Sequence, residues 1–221
     1  NYLVGKIQGQ FIVDALDLDN QDGPFNIEMV TGDPGDNNVN FFFGGAMDVL
    51  QPYIDAGKLV VPSGQMTKDE VATANWATDA PQARFENILS SNYADGTPLH
   101  AVLASNDSTA LGVTNALAAN YTNDVYPVIT GQDCDIANVP NIVNGKQAMS
   151  VFKDTRTLAT KVVEMVDAIM TGGEAPVNDT KTYDNGTGII PSYLCEPVAV
   201  TADNYKEILI DSGYYTEDQI K

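Results

Sequence analysis

The chain has 221 residues, enough for one large domain or two small ones, with eleven basic against thirty acidic side chains and a formal net charge of −19 at pH 7. Such a surface repels nucleic acid and anionic membranes, because phosphate binding requires a density of Lys and Arg. No apolar run approaches the roughly 18 residues of a membrane-spanning helix, so we expect no direct membrane insertion.

Apolar runs and helical patterns alternate along the chain, which predicts the α/β class: a doubly wound parallel sheet flanked by helices. Predicted strands cover residues 25–31, 59–61, 101–104, 125–130 and 148–152. Predicted helices cover residues 2–16, the segment from the 32–36 loop to about 56, and residues 79–90, 107–120, 136–144 and 155–170. Beyond them we expect a short strand at 181–183, an extended segment at 191–200 and a last helix at 202–212.

The loop after the first strand, residues 32–38, carries Asp36, Asn37 and Asn38 where the next helix begins. Ligands of open parallel sheets bind just beyond the carboxyl ends of the strands. Capping of the helix would explain one of these polar residues but not three. The loop is therefore a predicted binding segment, with helix capping as the alternative for any one residue.

Trp76 is the only tryptophan, and it lies in a polar stretch. A tryptophan in a loop suits stacking on the apolar face of a sugar ring, while its N–H stays available for a hydrogen bond. Anchoring of the loop to the core is the alternative role.

Three further polar residues follow predicted strands. Asn106 comes after residues 101–104, and we expect Asp107 to cap the next helix and leave the Asn106 amide available for sugar hydroxyls. Asp133 follows residues 125–130 and suits a charge-assisted contact with two hydroxyls, with capping of helix 136–144 as its alternative. Lys153 follows residues 148–152, with an ion pair to Asp154 as its alternative.

The sequence gives little support for catalysis or for a metal site. Asp36 and Asp133 could flank a glycosidic bond, but nothing selects for that role. His100 precedes a strand and so lies away from the strand ends. Cys134 and Cys195 are too few for zinc, and we expect both to be free and buried. Residues 18–23 resemble half a calcium loop but lack its first carboxylate. We therefore expect no enzyme, no cofactor and no metal.

These motifs, in this order, resemble the periplasmic monosaccharide-binding proteins of bacterial ABC uptake systems, in the xylose/glucose/galactose (multiple-sugar) branch. The segments that carry the resemblance run through the whole chain: residues 4–9, 32–38, 41–43, 49–53, 104–107, 131–133, 151–156, 178–183 and 191–194. The resemblance implies a two-lobed type I fold that traps a sugar in a cleft. It also implies sugar contacts at Asp36–Asn38, Trp76, Asn106, Asp133 and Lys153.

The resemblance divides the chain into a C-terminal lobe, residues 1–153 plus 196–221, and a segment of the N-terminal lobe, residues 154–195. It implies further residues before the position that matches Asn1, and these would form most of the N-terminal lobe and half of the sugar contacts. We therefore expect residues 154–195 to expose apolar surface and this chain to bind sugar weakly. The calcium-binding members have a calcium loop at the position of residues 18–23 and a carboxylate ligand at the position of His100. This chain lacks both features, so the resemblance implies no calcium site. Some members of the family have a sugar-binding arginine one helical turn after the 32–36 loop. Here Phe41-Phe42-Phe43 occupies that turn, which favours the xylose-like branch.

The leading hypothesis is a non-enzymatic solute-binding protein, periplasmic or extracytoplasmic, and a cell-surface lipoprotein in a Gram-positive bacterium. It would capture a neutral monosaccharide, of the xylose, glucose or galactose type, and deliver it to an ABC permease; a chemoreceptor is a further partner left open. The alternative is the sugar-responsive effector domain of a transcription regulator, whose family shares the fold. A glycoside hydrolase is the third hypothesis.

Overall fold

A computed structural model describes residues 1–220. Six α-helices, α1 to α6, are Tyr2–Ala15, Asn38–Asp55, Asp79–Asn92, Asp107–Asn120, Val139–Val143 and Thr155–Met170. Six strands, β1 to β6, are Phe25–Val30, Leu59–Val60, Ala101–Ala104, Val128–Ile129, Ser150–Phe152 and Val198–Val200. Two 3₁₀ turns, Ala74–Trp76 and Glu217–Ile220, and one π-helical turn, Lys206–Asp211, complete the described elements.

The main sheet is parallel, with strand order β2-β1-β3-β4. Ile27 pairs with Ala101 and Val30 with Ala104, so β1 and β3 end side by side. A parallel bridge between Gln132 and Val151 continues the pairing from the end of β4 to β5, and β5 pairs with β6. The carboxyl ends of β1, β3 and β4 therefore lie along one edge of the sheet.

Helices cover both faces of this sheet, as strand β3 makes clear. Ala101 and Leu103 pack in one apolar cluster with residues of α1 and α2. Val102 and Ala104 pack in another cluster with residues of α3 and α4. Because successive side chains of a strand point to opposite faces, a strand buried on both faces is apolar throughout. The predicted α/β fold, a parallel sheet flanked by helices, is confirmed.

Several predicted bounds in the second half of the chain were wrong. The strand predicted at 125–130 is only Val128–Ile129, since Pro127 has no N–H for a ladder bond and the Val125 N–H bonds the side chain of Asn123 instead. The helix predicted at 136–144 is only Val139–Val143, because a turn at Asp135 precedes it. Residues 181–183 form no named strand; isolated bridges flank them. The last predicted helix, 202–212, is reduced to the π-helical turn.

The chain forms two units: Asn1–Phe152 with the segment from Ala199, and Lys153–Val198. In the second unit α6 begins at the cap Asp154, whose side chain accepts from the Arg156 N–H at 2.9 Å. None of its residues is buried, and Val163 is 68% exposed. The expected exposure of apolar surface in this segment is confirmed. The division into lobes at 153/154 and 195/196 stays a prediction.

None of the helices described in residues 1–220 has both the length and the apolar character needed to cross a bilayer.

Candidate functional site

Buried hydrogen bonds hold the strand ends together at the carboxyl edge of the sheet. The Gln8 amide, fully buried on α1, donates to the carbonyl of Ser105 at 3.2 Å and to that of Gly131 at 2.9 Å. The hydroxyls of Thr31 and Ser105 are 2.8 Å apart. One side chain from a helix thus ties the end of β3 to the end of β4, and a hydroxyl pair ties β3 to β1.

Two carboxylates organise the loop after β1. Asp33 accepts from the Gly35 N–H at 2.7 Å and from the Asn75 N–H, and these backbone bonds hold its pKa below the usual range. Asp36 accepts from the Asn38 N–H at 2.9 Å and from the indole Nε1–H of Trp76 at 3.2 Å. Both aspartates therefore connect this loop to the segment that carries the tryptophan.

Trp76 is held in an unusual backbone conformation. Its φ is 54° and that of Asn75 is 56°, the left-handed region that side chains other than glycine rarely adopt. The ring lies against the backbone at Gly32, where an added Cβ would be 2.2 Å from three ring atoms. The Phe42 ring meets it edge to face at 6.1 Å. Such conformations persist only where the surroundings enforce them, often at binding sites.

Trp76 has the anchoring role, and its role in stacking on a sugar stays a prediction. The side chain packs against an apolar cluster that includes Val4, Phe42, Met149 and Val151, so it does anchor its loop. It remains half-exposed at the carboxyl edge of the sheet. An anchored and partly exposed ring provides a rigid flat surface for a ligand.

The prediction that Asp107 caps α4 was wrong. Asn106 caps α4, since its side-chain oxygen accepts from the Thr109 N–H at 3.1 Å. Its amide donates to the Ser108 hydroxyl at 2.7 Å, and that hydroxyl donates to the Trp76 carbonyl at 2.9 Å. Asn106 therefore lies in one hydrogen-bonded chain with Trp76, and its contact with a sugar stays a prediction.

Asp107 is fully buried and does not cap the helix. Its carboxylate accepts from Gln147 Nε2 at 2.7 Å, from the Ser150 hydroxyl at 2.8 Å and from the Asp135 N–H at 2.8 Å. Burial raises its pKa to about 7 against the pull of these bonds. The sequence did not indicate this role, because the three donors lie 28 to 43 residues away along the chain.

The other predicted site residues are placed as follows. Asn37 occupies the cap position of α2 without a side-chain cap bond, and its oxygen accepts from the Asn40 amide at 3.0 Å. The Asn38 side chain bonds that of Asn1. Asp133 has a φ of 95°, and its N–H donates to the Val151 carbonyl at 2.9 Å. Asn138 stands at the cap position of α5, so the alternative role of Asp133 as a cap was wrong.

In the first unit the edge thus carries two groups of predicted residues: the loop of Asp36 to Asn38 with Trp76 and Asn106, and the loop of Asp133. Lys153 directly follows β5 and is the first residue of the second unit. Its place in the site stays a prediction. The neighbouring carboxylate of Asp154 is engaged by Arg156, at 2.7 Å from its Nη2.

The residues considered for other chemistry have structural roles. His100 Nδ1 accepts from the Asn26 N–H at 2.9 Å, and burial lowers its pKa. Lys58 donates to the Leu18 carbonyl at 2.7 Å, which puts a cation inside the segment that resembles half a calcium loop. In the described part of the chain, no group of three or more His, Cys, Asp or Glu side chains is arranged to hold a metal. Cys134 and Cys195 are free as expected, but only Cys134 is buried.

Comparison with known proteins identifies relatives over the whole chain. Residues 1–174 match the family model described as "Periplasmic binding protein domain". The chain is 50% identical to the "Multiple sugar-binding periplasmic protein SbpA" of Azospirillum brasilense, over the whole chain and 62% of that protein. It is 47% identical to the "Multiple sugar-binding periplasmic receptor ChvE" of Rhizobium radiobacter, over the whole chain and 63% of that protein.

Among solved structures, an ABC transporter solute-binding protein from Clostridium phytofermentans with bound β-D-glucose is 67% identical. It superposes with a TM-score of 0.97, over the whole of this chain and 68% of that one. The chain spans somewhat less than two thirds of the length of SbpA and of ChvE.

Proposed function

Since the chain belongs to the periplasmic binding protein domain family, we propose that it captures a neutral monosaccharide and delivers it to an ABC permease. The sugar is of the glucose, xylose or galactose type. The protein acts outside the cytoplasm, in the periplasm or, in a Gram-positive bacterium, as a lipoprotein on the cell surface. A chemoreceptor that recognises the sugar-bound form is a further partner left open.

The observation that carries this proposal is the anchored tryptophan. A pyranose has an apolar face of C–H groups and an equatorial rim of hydroxyls, so it needs a flat apolar surface beside hydrogen-bonding groups. Trp76 supplies the surface, with Asp36 at 3.2 Å from its indole nitrogen. Each carboxylate oxygen can accept more than one hydrogen bond, so Asp36 can hold the ring and still accept from a sugar hydroxyl.

The remaining predicted residues complete the proposed ring of contacts. Asn37 and Asn38 begin α2 beside Asp36, and Asn106 reaches Trp76 through Ser108. Asp133 would accept from hydroxyls on the side of β4, and Lys153 would donate from the end of β5. Residues 1–153 plus 196–221 would form the C-terminal lobe, and 154–195 a part of the other lobe. Sugar binding would close the two lobes on the ligand.

The names of the relatives favour transport over the alternative of a regulator's effector domain. SbpA and ChvE are named as sugar-binding periplasmic proteins, and the Clostridium phytofermentans protein as a solute-binding protein with bound glucose. The net charge of −19 also disfavours a place beside DNA.

Calorimetry with D-glucose, D-xylose, D-galactose, L-arabinose and D-ribose tests the proposal, with glucose 6-phosphate as an anionic control. We expect binding of one or two neutral aldoses and none of the phosphate ester. Trp76→Ala should weaken that binding by about 10- to 100-fold, since the lost apolar contact is equivalent to about 1–3 kcal/mol. Trp76→Phe keeps an aromatic face without the N–H, so its sugar affinity should lie between those of the native chain and of Trp76→Ala.

Asp133→Asn and Asp124→Asn form a matched pair for the second loop. Both remove one negative charge, but Asp124 is exposed in the segment before β4 and bonds no site residue. Asp133→Asn should weaken binding by about tenfold or more, because a hydrogen bond to a charged group contributes about 1.5–3 kcal/mol. Equal sugar affinities of the two variants would contradict the proposed site. A native chain that binds no aldose would contradict the proposed function.

A further inference from the structure

The carboxylate of Asp107 lies at the centre of a buried network. One oxygen, Oδ1, accepts from Gln147 and Ser150, and the other, Oδ2, accepts from the Asp135 N–H. The backbone of the same residue is also used: its N–H donates to the Gln132 carbonyl at 3.0 Å, and its carbonyl accepts from the Asn138 amide at 2.8 Å. One residue at the start of α4 thus connects the ends of β3, β4 and β5 and the turn before α5.

The loop 131–135 needs such external support. Asp133 has a φ of 95° and Cys134 a φ of 53°, so two consecutive residues other than glycine lie in the left-handed region. Their conformation must be enforced by neighbours, because side chains other than glycine are strained in this region. The Cys134 N–H donates to the Ser150 hydroxyl at 3.0 Å, and that hydroxyl donates to Asp107. Two successive loop amides, those of Cys134 and Asp135, therefore depend on the Asp107 carboxylate or on its partner.

The contact between loop and carboxylate is as close as the chain permits. A Cβ added at Gly131 would be 2.2 Å from Asp107 Oδ1 and 2.3 Å from Gln147 Nε2. Real Cβ atoms essentially never approach other atoms within 3.0 Å. The loop therefore begins at a residue without a side chain, directly against the carboxylate, and two residues later it presents Asp133.

We propose that Asp107 is a positioning residue for sugar binding: its buried carboxylate sets the backbone of the loop 131–135 and so places the Asp133 side chain toward the sugar. This inference rests on the proposed function, because it assigns the loop a task only if Asp133 contacts a sugar. Asp107 itself is fully buried, so its side chain acts through the loop and not by contact with the sugar.

The hydrogen bonds of this network depend on whether Asp107 is protonated. The side chains and the backbone N–H that bond Asp107 are neutral, and the titratable groups around it are Asp133, Cys134, Asp135 and Tyr215. Asp135 adds to the rise in the pKa of Asp107, and Tyr215 donates to the Cys134 carbonyl at 3.0 Å. An ionised Asp107 accepts three bonds, whereas the protonated form loses acceptor capacity. Sugar affinity should therefore rise with pH across neutrality.

Asp107→Asn is the direct test, with Asp135→Asn as its matched control. The amide keeps the shape of the carboxylate, but its NH₂ group must face at least one of the three donors. Asp135 bonds Asp107 only through its backbone N–H, which Asp135→Asn retains, so the control removes a nearby charge without removing a bond. Ser150→Ala is a milder variant for the case that Asp107→Asn does not fold.

Amide hydrogen exchange without sugar gives the first measurement. Exchange at residues 132–135 should speed up in Asp107→Asn and in Ser150→Ala, and stay unchanged in Asp135→Asn. Unchanged exchange in Asp107→Asn, or in Ser150→Ala where only that variant folds, would overturn the proposal. This measurement does not depend on any ligand, so it stands even if the proposed function fails.

Calorimetry with the aldose bound best by the native chain gives the second measurement, at pH 6, 7 and 8 and at a temperature where every variant is folded by circular dichroism. The native chain and Asp135→Asn should bind more tightly as the pH rises. Asp107→Asn should bind about tenfold or more weakly and show no such pH dependence, and Ser150→Ala should fall between them. A faster-exchanging loop with native affinity and a native pH profile would show a structural role alone and refute the inference. Failure of the native chain to bind any aldose would instead refute the proposed function.

Discussion

Gly32→Ala tests how tightly the tryptophan is seated at the edge of the sheet. The added methyl would be 2.2 Å from three atoms of the Trp76 ring, whereas ordinary contact begins at 3.4 Å, so the ring must retreat by about 1.2 Å. Asp36 accepts from the indole N–H at 3.2 Å, already near the limit of a hydrogen bond, and a retreat of that size breaks it. Forcing a methyl into such a packed contact costs about 1–3 kcal/mol.

The assay uses the fact that Trp76 is the only tryptophan, so fluorescence excited at a wavelength that tyrosine does not absorb reports on this ring alone. We expect Gly32→Ala to shift the emission to longer wavelength, to lower the melting temperature by about 5 °C and to weaken sugar binding about tenfold. Gly44→Ala is the control, because a Cβ at Gly44 on α2 meets nothing within 4 Å and alanine favours a helix. Native emission and stability in Gly32→Ala would refute the close contact.

Three further predictions concern stability and are checked by urea unfolding or hydrogen exchange. Tyr93→Phe should lower the free energy of unfolding in urea by about 1–3 kcal/mol, because it removes the hydroxyl that donates to the buried Glu28 at 2.9 Å. The pKa of Asp107 is raised from 3.8 to about 7 by burial, so its contribution to stability is complete below pH 4 and lost as the pH rises through 7. The free energy of unfolding should therefore fall by up to about 4 kcal/mol between pH 4 and 8, and less in Asp107→Asn, with Glu28 adding a change of the same sign. Asp154→Ala should destabilise the first turn of α6 by about 1 kcal/mol, seen as faster amide exchange near Arg156, because it removes the helix cap.

The sequence was most informative where the local signals of an element are strong. Strand Ala101–Ala104 and helices Asp107–Asn120 and Thr155–Met170 have the predicted bounds, because a short apolar run, a polar strand end and a terminal glycine pair are local signals. The β-then-α alternation was enough to predict helices on both faces. Where prediction failed, as at Val128–Ile129 and Lys206–Asp211, the competing influence was a proline in a strand or a turn that the pattern did not reveal.

The site shows the limit of such reasoning more clearly. Asn106 and Asp107 are adjacent and both are suitable caps, so their order in the sequence does not decide which one caps α4. The choice was made by Gln147, Ser150 and the Asp135 N–H, which bring three donors to Asp107 from distant parts of the chain. Likewise, a lone tryptophan in a polar loop indicated a binding role, but the need for glycine at position 32 became visible only from the approach of the ring.

The arrangement of carboxyl groups also bears on the hypothesis of a glycoside hydrolase. Hydrolysis by a carboxyl pair needs an acid with a raised pKa that reaches the glycosidic oxygen. At this edge burial raises the pKa of two carboxyl groups, Asp107 to about 7 and Asp135, and Asp107 is fully buried among its own donors and cannot reach a substrate. We therefore expect no release of nitrophenol from p-nitrophenyl glucosides, galactosides or xylosides. Steady release that Asp36→Asn and Asp133→Asn each abolish would refute this argument and assign the pair a catalytic role.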